Sequence, residues 1–235
     1  MTKRYYVPDL PQLGGTISLP PSEAQHAIRV MRIKVGEAIE LFNGQGLQAE
    51  AMIEDVKRNA CICQANAACI IDREPKRKVR LAIALPKPDR AKELIERLTE
   101  LGVQSVTPII AERTQRGPTD STLEKLSKVI IEACKQSGRN QLMQLKPTMK
   151  SLTFFQSDEI ENKVIAHPVP DGVAALTYRA AANDKAFSIA IGPEGGWTDH
   201  EYQAAIDQGY SPINLGKRIY RIETAAVALA ANLID

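Results

Sequence analysis

From residue 78 onward, short apolar runs alternate with longer segments of helical period, and this alternation restricts the chain to one class of fold. The runs VRLAIAL, VQSVTPII, KVIAHPV and AFSIAIG have the length of strands and are bounded by turn or polar residues. The segment after the first run carries apolar residues at helical spacing: Ala91, Leu94, Ile95, Leu98 and Leu101. Strands that alternate with helices pair in parallel and are covered on both faces. The sequence therefore predicts an α/β domain with a mostly parallel sheet.

The helix boundaries carry signals of their own. Asp89 is predicted to cap the first helix, and Gly102 is predicted to end it. Further helices are predicted over roughly Thr122 to Ser137, near Gly172 to Ala182, and over Glu223 to Ile234.

The first 74 residues lack this alternation. The short runs GTISL, AIELFNG, LQAEAMIEDV and NACICQANA are separated by turn residues and predict strands. Ser22 and Gln25 have the spacing of a capping box, which predicts one helix. A small β-barrel with one helix fits this pattern, and the charged segment DREPKRKVR around Pro75 indicates where it ends. We therefore expect two domains, residues 1–74 and residues 75–235.

The cysteines raise the question of a zinc site. They are Cys61, Cys63, Cys69 and Cys134. Structural zinc sites usually place two to four residues between paired thiols, and no histidine lies near the first three cysteines, so we expect buried, reduced thiols, no metal and a reducing cytoplasm. No apolar core follows the first four residues and no apolar run is long enough to span a bilayer, so neither a signal peptide nor a membrane segment is expected.

Basic residues are concentrated in parts of the chain, although the net charge is only +2. Eight basic and three acidic residues lie between Arg113 and Lys150. Lys3 and Arg4 add charge at the start, and AIRVMRIK adds three more cations. Such stretches are typical of proteins that bind polyanions, although for any single stretch a solvated helix face accounts for them equally well.

The stretch GPEGG follows the strand AFSIAIG and precedes a helix that Thr198 and Glu201 are predicted to open as a capping box. Ligands of open α/β sheets lie beyond the carboxyl ends of the strands, and glycines allow the backbone to approach a ligand closely. The stretch matches neither the dinucleotide fingerprint nor the P-loop. On its chemistry alone, a tight structural turn and a ligand loop remain equally open.

A second strand end has a similar character. LGKRIYRIETAAVALAANL joins a short strand to a helix through Gly216, and a third strand end, at His167, precedes both loops. A buried structural role for His167 is the commoner outcome. The helix that begins at Thr224 is apolar on nearly all sides, so we expect it to be buried against the sheet or against a partner chain.

These motifs resemble those of a known family. IGPEGGW with Glu201, and LGKRIYRIETA, look like the two signature loops of the RsmE-type methyltransferases of the SPOUT superfamily. HAIRVMRIKVGE resembles the family's His-x-x-x-Val-Leu-Arg-x-x-x-Gly stretch with Met31 in place of Leu, and LTELGVQSVTPIIAERT and EACKQSGRN resemble two central stretches. The sequence departs from the family at Arg97, near a usual Lys, and at Lys135-Gln136, where Glu-Gln is common. The resemblance covers the whole chain.

The resemblance implies an activity and an architecture that the patterns alone do not supply. The activity would be methylation of N3 of a uridine in 16S ribosomal RNA, with S-adenosylmethionine as the methyl donor. Residues 1–74 would form a PUA-like RNA-binding barrel, and residues 75–235 a methyltransferase domain with a deep trefoil knot. The enzyme would be a homodimer.

The resemblance also identifies candidate site residues. The expected cofactor-binding residues are Ala166, His167, Pro168, Ile191, Gly192, Pro193, Glu194, Gly195, Gly196, Leu215, Gly216, Arg218, Ile219, Arg221, Thr224 and Ala225. Arg221 and Glu223 are the catalytic candidates, for electrostatic stabilisation and proton handling, with an internal Arg–Glu ion pair as the alternative. The expected phosphate-binding residues are Arg4, Arg29, Arg32, Arg113, Arg116 and Arg139.

Two other functions remain open on the sequence. A non-catalytic RNA-binding or ribosome-assembly protein accounts for the barrel and the basic stretches, but not for ligand-loop chemistry at three strand ends. An enzyme with another nucleotide cofactor is disfavoured because the chain lacks a P-loop and a dinucleotide fingerprint.

Overall fold

The computed structural model describes residues 3–168 and 186–234, together with the backbone of Val173–Ala174. The chain forms two compact units, one of Met1–Glu74 with Ile131–Leu142, the other of Pro75–Ile130 with Met143–Asp235. The sequence predicts a single cut between residues 74 and 75, and the segment 131–142 departs from that simple division. The helix predicted near Gly172 to Ala182 lies outside the described residues, apart from Val173–Ala174, which form a strand.

The first unit is built on a six-stranded, mainly antiparallel sheet. Its strands are β1 (Lys3–Tyr6), β2 (Gly15–Ser18), β3 (Ala38–Phe42), β4 (Leu47–Val56), β5 (Cys61–Ala65) and β6 (Cys69–Ile70). They are arranged in the order β1-β3-β4-β5-β2, with β6 paired to β4 and with β1 parallel to β3. The predictions for β2 to β5 are confirmed, whereas the sequence patterns did not predict β1 and β6.

The helical segment of the first unit begins by a different device from the predicted one. Helix α1 (Pro21–Gln25) has no side-chain cap and continues into a π-helical turn, His26–Val30. The capping box predicted at Ser22 and Gln25 is therefore wrong. Two prolines start the helix instead, since the ring of Pro21 fixes φ and its missing N–H needs no partner at this position.

The second unit contains an eight-stranded sheet in which every pair is parallel, as predicted. Its strands are β7 (Val79–Ile83), β8 (Ser105–Ile110), β9 (Gln144–Leu145), β10 (Met149–Lys150), β11 (Asn162–Ala166), β12 (Val173–Ala174), β13 (Phe187–Ile191) and β14 (Ser211–Asn214). The order is β10-β8-β7-β13-β11-β14-β12, with β9 paired to β8. The order places β13, β11 and β14 side by side, so the loops that follow them share one edge.

Five further helices are described. They are α2 (Pro88–Glu100), α3 (Asp120–Ser137), α4 (Ser151–Ser157), α5 (Asp199–Asp207) and α6 (Ile222–Ile234). Lys87, not Asp89, is the N-cap of α2, because Pro88 takes the first helical position; the predicted cap is wrong. Gly102 follows α2 with φ +87°, as a C-terminal glycine should. The capping box of Thr198 and Glu201 is confirmed at α5.

Helix α6 is buried along one face only. Ile222, Ala226, Leu229 and Leu233 are buried, whereas Thr224 and Ala231 on the opposite side are exposed. The chain itself therefore buries the first face of α6, as expected, but not the opposite face. None of the helices among the described residues is long and apolar enough to cross a membrane.

The cysteines of the described part form no disulfide, and Cys61, Cys63 and Cys134 are buried. Cys69 is exposed, so its predicted burial is wrong; it lies in the two-residue strand β6, both of whose side chains are exposed. The described residues contain no cluster of three His, Cys, Asp or Glu side chains arranged to hold a metal ion.

Candidate functional site

A cavity of about 480 Å³ lies at the carboxyl ends of β11, β13 and β14. Nearly all residues predicted to bind the cofactor line it: Ala166, His167, Pro168, Ile191, Gly192, Pro193, Glu194, Gly195, Gly196, Leu215, Gly216, Arg218, Ile219, Arg221 and Ala225. Thr224 does not line the cavity, since it lies on the exposed side of α6. The lining residues that sequence reasoning missed are Trp197, Ile213, Asn214, Tyr220, Ile222 and Leu229.

The glycines after β13 are required by close packing. A Cβ on Gly192 would lie 3.0 Å from Trp197 Cε2, and one on Gly195 would lie 3.2 Å from Arg113 Cβ. Gly196 has φ +70°, which side chains rarely adopt. Two glycines thus allow neighbouring side chains to close on the loop, and the third allows the chain to turn.

Trp197 forms the floor under this loop. It is 4% exposed, and its Nε1 donates a hydrogen bond of 3.1 Å to the carbonyl oxygen of Ala166. Its ring packs 5.5 Å from that of Phe155, between ring centroids. The end of β11 and the loop after β13 are therefore joined by one side chain. The available signal was that the only tryptophan of the chain directly follows GPEGG.

Glu201 anchors the other side of the loop from a fully buried position. Its Oε1 accepts hydrogen bonds from Ser151 Oγ, at 2.7 Å, and from the amide of Glu112, at 3.0 Å. Its Oε2 accepts from the amide and hydroxyl of Thr198. Burial acts to raise the pKa of Glu201, but these hydrogen bonds outweigh it and hold the pKa below its usual value. Glu201 thus remains ionised and ties α5 to two other segments of the unit.

Arg113 supports the loop by hydrogen bonding. Its Nη1 donates to the carbonyl oxygens of Gly195, at 3.0 Å, and Trp197, at 3.1 Å. The residue is nevertheless exposed, so one guanidinium holds the loop backbone and also faces solvent.

The two catalytic candidates are placed differently. Arg221 lines the cavity, is exposed, and has no hydrogen-bond or ion-pair partner for its guanidinium among the described residues. Glu223 does not line the cavity and lies 3.5 Å from Nη1 of Arg90, a residue in the first turn of α2. The alternative of an Arg221–Glu223 ion pair is therefore wrong. Sequence reasoning missed Arg90 because it is 133 residues away in the chain.

His167 contributes a half-buried ring to the cavity wall. Its ring centroid lies 4.5 Å from that of Tyr202, with the planes inclined by 32°. Burial lowers the pKa of His167, an effect that Asp199 opposes. An imidazole with a lowered pKa is neutral at physiological pH, so it offers the cavity a flat surface without a charge.

An apolar side chain stands at the opposite wall. Ile219 is 89% exposed although it lines the cavity. An isoleucine this exposed gains nothing from the hydrophobic effect. A flat ligand that covers Ile219 would bury its apolar surface, and this burial would favour binding.

The residues predicted to bind phosphate separate into two groups. Arg4 forms an ion pair with Glu40 and donates to the carbonyl oxygen of Cys134 at 2.8 Å, and its side chain is 8% exposed. Arg139 donates to both oxygens of Glu74, at 2.8 and 2.6 Å, and its side chain is 5% exposed. These carboxylates neutralise both guanidinium groups inside the first unit, which does not favour the prediction that Arg4 and Arg139 bind phosphate.

The remaining cations of the first unit are on its surface. Arg29 and Arg32 are exposed and have no side-chain partner among the described residues. Arg32 has φ +48°, which only a few non-glycine residues adopt. In the second unit, Arg116 is exposed as well.

The stretch EACKQSGRN has a structural role in the first unit. Lys135 is buried between Glu23, at 3.2 Å, and Glu132, at 2.9 Å. Asn140 donates to Gln48 Oε1 at 3.0 Å. A buried lysine requires such partners, and they explain why Lys is accommodated where the family usually has Glu.

Two family models match the chain. The model of an RNA methyltransferase domain matches residues 73–234, and the model of an RNA methyltransferase PUA domain matches residues 19–65. Among curated proteins, the chain is 34% identical to ribosomal RNA small subunit methyltransferase E of Synechocystis over 92% of this chain and 72% of that protein. It is 29% identical to the protein of that name in Bacillus subtilis, over 92% of this chain and 89% of the relative.

Solved structures are similar over the full length. A putative methyltransferase of Legionella pneumophila, in complex with the bound cofactor SAM, is 32% identical with a TM-score of 0.92, covering 99% of this chain and 97% of that one. A ribosomal RNA small subunit methyltransferase E of Neisseria gonorrhoeae bound to S-adenosyl methionine is 29% identical with a TM-score of 0.89, covering 98% and 96%.

Proposed function

The chain belongs to the ribosomal RNA small subunit methyltransferase E family, and we propose that this protein transfers a methyl group from S-adenosylmethionine to N3 of a uridine in 16S ribosomal RNA. Relatives of that name match it over most of their length, and the SAM-bound structures superimpose on it almost completely. These matches favour an enzyme over a non-catalytic RNA-binding protein.

The main evidence for the proposal is a single cavity that the ends of three strands form together. Its volume, about 480 Å³, falls within the range of small-molecule sites, roughly 300 to 1,000 Å³. Its walls combine backbone at Gly192 to Gly196 with apolar side chains. The family's cofactor has a flat adenine and polar ribose and amino-acid groups, and these surfaces suit them.

We assign the walls of the cavity to parts of the cofactor. Leu215 and the exposed Ile219 would pack on the adenine, and backbone groups of the loops would bind the polar atoms. Glu194, which is exposed at the cavity, would meet the ribose or the amino-acid end. S-adenosylmethionine, when bound, would supply the electrophilic methyl group.

Arg221 is the residue that we assign to the chemistry. The transfer would break the S–CH3 bond, release S-adenosylhomocysteine and displace the weakly acidic N3 proton of uracil to water. The substrate therefore needs a cation that stabilises its anion as N3 becomes the nucleophile. Arg221 lines the cavity and is free of internal partners among the described residues, which fits that role. Alignment of the two reactants supplies a further large part of the rate enhancement. Glu223 lies outside the cavity wall, so we assign it no proton transfer.

The RNA would be held by exposed cations. We retain residues 1–74 as the PUA-like RNA-binding domain and residues 75–235 as the methyltransferase domain, with Arg29, Arg32, Arg113 and Arg116 as phosphate ligands. The trefoil knot and the homodimer that the resemblance implies remain part of this proposal. The exposed face of α6 would supply apolar surface for a second copy. Because the proposed substrate is ribosomal RNA, we expect the protein in the cytoplasm.

Calorimetry with S-adenosylhomocysteine tests the cofactor assignment on the full-length protein. We expect one site per chain with a micromolar Kd, and transfer of label from tritiated S-adenosylmethionine to 16S ribosomal RNA. Absence of binding would exclude the proposed reaction. If the protein binds S-adenosylhomocysteine but transfers no label to free RNA or to assembled small subunits, the cofactor assignment stands and the proposed substrate is excluded.

A further inference from the structure

Arg90 is a cation that the reaction as proposed does not use, yet it contacts two carboxylates beside the cavity. It lies in the first turn of α2, and α2 follows β7, the neighbour of β13 in the sheet. Its Nη1 is 3.5 Å from Glu223 Oε1, and its Nη2 is 4.0 Å from Glu194 Oε1. One guanidinium therefore spans from the loop after β13 to the first turn of α6.

The carboxylate of Glu223 depends more strongly on a neighbouring cation than an exposed carboxylate does. Its side chain is only 15% exposed, and its Oε2 is buried with no hydrogen-bond partner in the described part of the chain. Burying an ionised carboxylate is costly unless an opposite charge compensates it. Within the described residues, Arg90 is the cation that contacts Glu223.

Arg221 is the nearest alternative partner in sequence, only two residues before Glu223. Its guanidinium makes no ion pair within the described residues, and it lines the cavity. Without the charge of Arg90, the attraction of a poorly solvated carboxylate would act on Arg221. An ion pair between them would withdraw the cation from the cavity.

We propose that Arg90 is a positioning residue for methyl transfer. By pairing with Glu223 it keeps the guanidinium of Arg221 available to the anionic substrate. Through its looser contact with Glu194 it also holds the loop after β13 against α6. This inference rests on the proposed function, because it is that function which assigns Arg221 to the substrate.

A double-mutant cycle on the full-length protein tests the proposal. The measurement is single-turnover methylation at saturating RNA and saturating labelled cofactor, for Arg90→Gln, Glu223→Gln and the two combined. We expect Arg90→Gln to slow the transfer about tenfold, and Glu223→Gln about threefold or less. The combined variant should transfer as fast as Glu223→Gln, because the competing carboxylate is gone. A purely structural role for Arg90 would instead lower the stability of Arg90→Gln and leave its transfer rate at saturation unchanged.

Two further variants complete the test. Arg97→Gln lies on the same helix and removes an exposed pair with Glu93, so it should leave the rate unchanged. Arg90→Lys retains one charge for Glu223 but cannot span both carboxylates. It should therefore transfer within about threefold of the wild-type rate while binding S-adenosylhomocysteine several-fold more weakly. It also provides the test if Arg90→Gln does not fold.

The outcomes separate the two claims. A combined variant as slow as Arg90→Gln, or an Arg90→Lys protein that loses its rate at saturation, overturns the inference alone. A wild-type protein that neither binds S-adenosylhomocysteine nor methylates RNA overturns the proposed function and the inference with it.

Discussion

The indole Nε1 of Trp197 donates a hydrogen bond of 3.1 Å to the carbonyl oxygen of Ala166, and this bond joins two of the three loops that form the cavity. Phe155 supports the indole from below, with ring centroids 5.5 Å apart. The geometry of the loop after β13 is thus fixed by the core of the second unit rather than by a ligand. Much of the cavity should be preformed before the cofactor binds.

Trp197→Phe keeps an aromatic ring but removes the N–H donor together with the five-membered ring of the indole. Loss of the buried hydrogen bond and of the packing of that ring should reduce the free energy of unfolding by about 2–4 kcal/mol, since the Ala166 carbonyl lacks its partner and a cavity remains. Cofactor affinity should fall several-fold because the loops are no longer joined. Calorimetry and thermal unfolding measure the two effects.

Tyr210→Phe is the matched control for Trp197→Phe. Its ring lies 5.2 Å from Phe155 in the same core cluster, and its hydroxyl donates to Asp158, away from the cavity. It should destabilise the protein without changing cofactor affinity. Equal losses of affinity in both variants would contradict a specific role for the Trp197–Ala166 bond.

We expect Glu201 to make the free energy of unfolding depend on pH in the acidic range. The folded pKa of Glu201 lies below its unfolded value, so its contribution is fully present above the unfolded pKa and is lost as the pH falls through the folded pKa. Glu201→Gln should reduce the free energy of unfolding by about 1–3 kcal/mol at neutral pH, because an amide cannot accept from donors on both sides. The difference from wild type should shrink toward pH 3. Urea unfolding at several pH values measures it, and a constant difference would show that the charge is unimportant.

The glycines of the loop should differ in sensitivity. Gly192→Ala places a methyl group 3.0 Å from the fixed ring of Trp197, so we expect a loss of about 1–3 kcal/mol in stability and a large loss of cofactor affinity. Gly195→Ala meets Arg113 Cβ at 3.2 Å, a slightly longer contact that involves an exposed side chain rather than a buried ring, and should have the smaller effect. Unfolding midpoints and Kd values for the two variants decide the order. The reverse order would mean that Gly195, not Gly192, sets the closest approach.

Patterns that repeat along the chain predicted most of this structure. The sequence could not predict single contacts between residues that are far apart along the chain. The parallel sheet, the strand ends and the capping box of α5 follow from periodicity and local hydrogen bonding. The site residues in the three loops came from the family motifs. Both helix starts that were misassigned, at Ser22 and Asp89, lie next to prolines, whose fixed φ took precedence over side-chain capping.

The internal partners of charged residues were beyond reach for a different reason. Arg4 and Arg139 read as surface cations in the sequence, but their partners Glu40 and Glu74 are far along the chain. The same holds for the contact between Arg90 and Glu223. Whether an arginine is free or paired is decided by tertiary packing, so a count of basic residues overestimates the cations available to RNA.

The exposed face of α6 predicts self-association. Thr224 and Ala231 are exposed and Ala228 is half-buried on the side away from the sheet. Ala228→Asp should convert the proposed dimer into a folded monomer, because a carboxylate in an apolar interface would be unpaired. Glu96→Lys, on the exposed face of α2, is the control. Sedimentation that shows wild-type monomers at micromolar concentration would exclude the dimer.

Separation of RNA binding from chemistry is the last prediction. Arg29 and Arg32 lie in the first unit, whereas the cavity is formed by residues of the second, so Arg29→Gln and Arg32→Gln should leave cofactor affinity unchanged. Each should weaken RNA binding and lower the slope of log K against log salt by roughly one unit or less. Arg139→Gln is the matched control: because Glu74 already neutralises Arg139, this variant should lose stability without changing the salt slope.

Arg221→Ala should show the opposite behaviour. RNA binding should be nearly unchanged, but single-turnover methylation should fall at least a hundredfold even at saturating RNA, because the contact is made mainly in the transition state. Filter binding over a range of salt concentrations, run beside transfer from tritiated cofactor, measures both properties on the same preparations. If Arg221→Ala methylates saturating RNA at the wild-type rate, the cation that stabilises the uracil anion lies elsewhere in the cavity, and Arg218, which also lines it, becomes the residue to replace next.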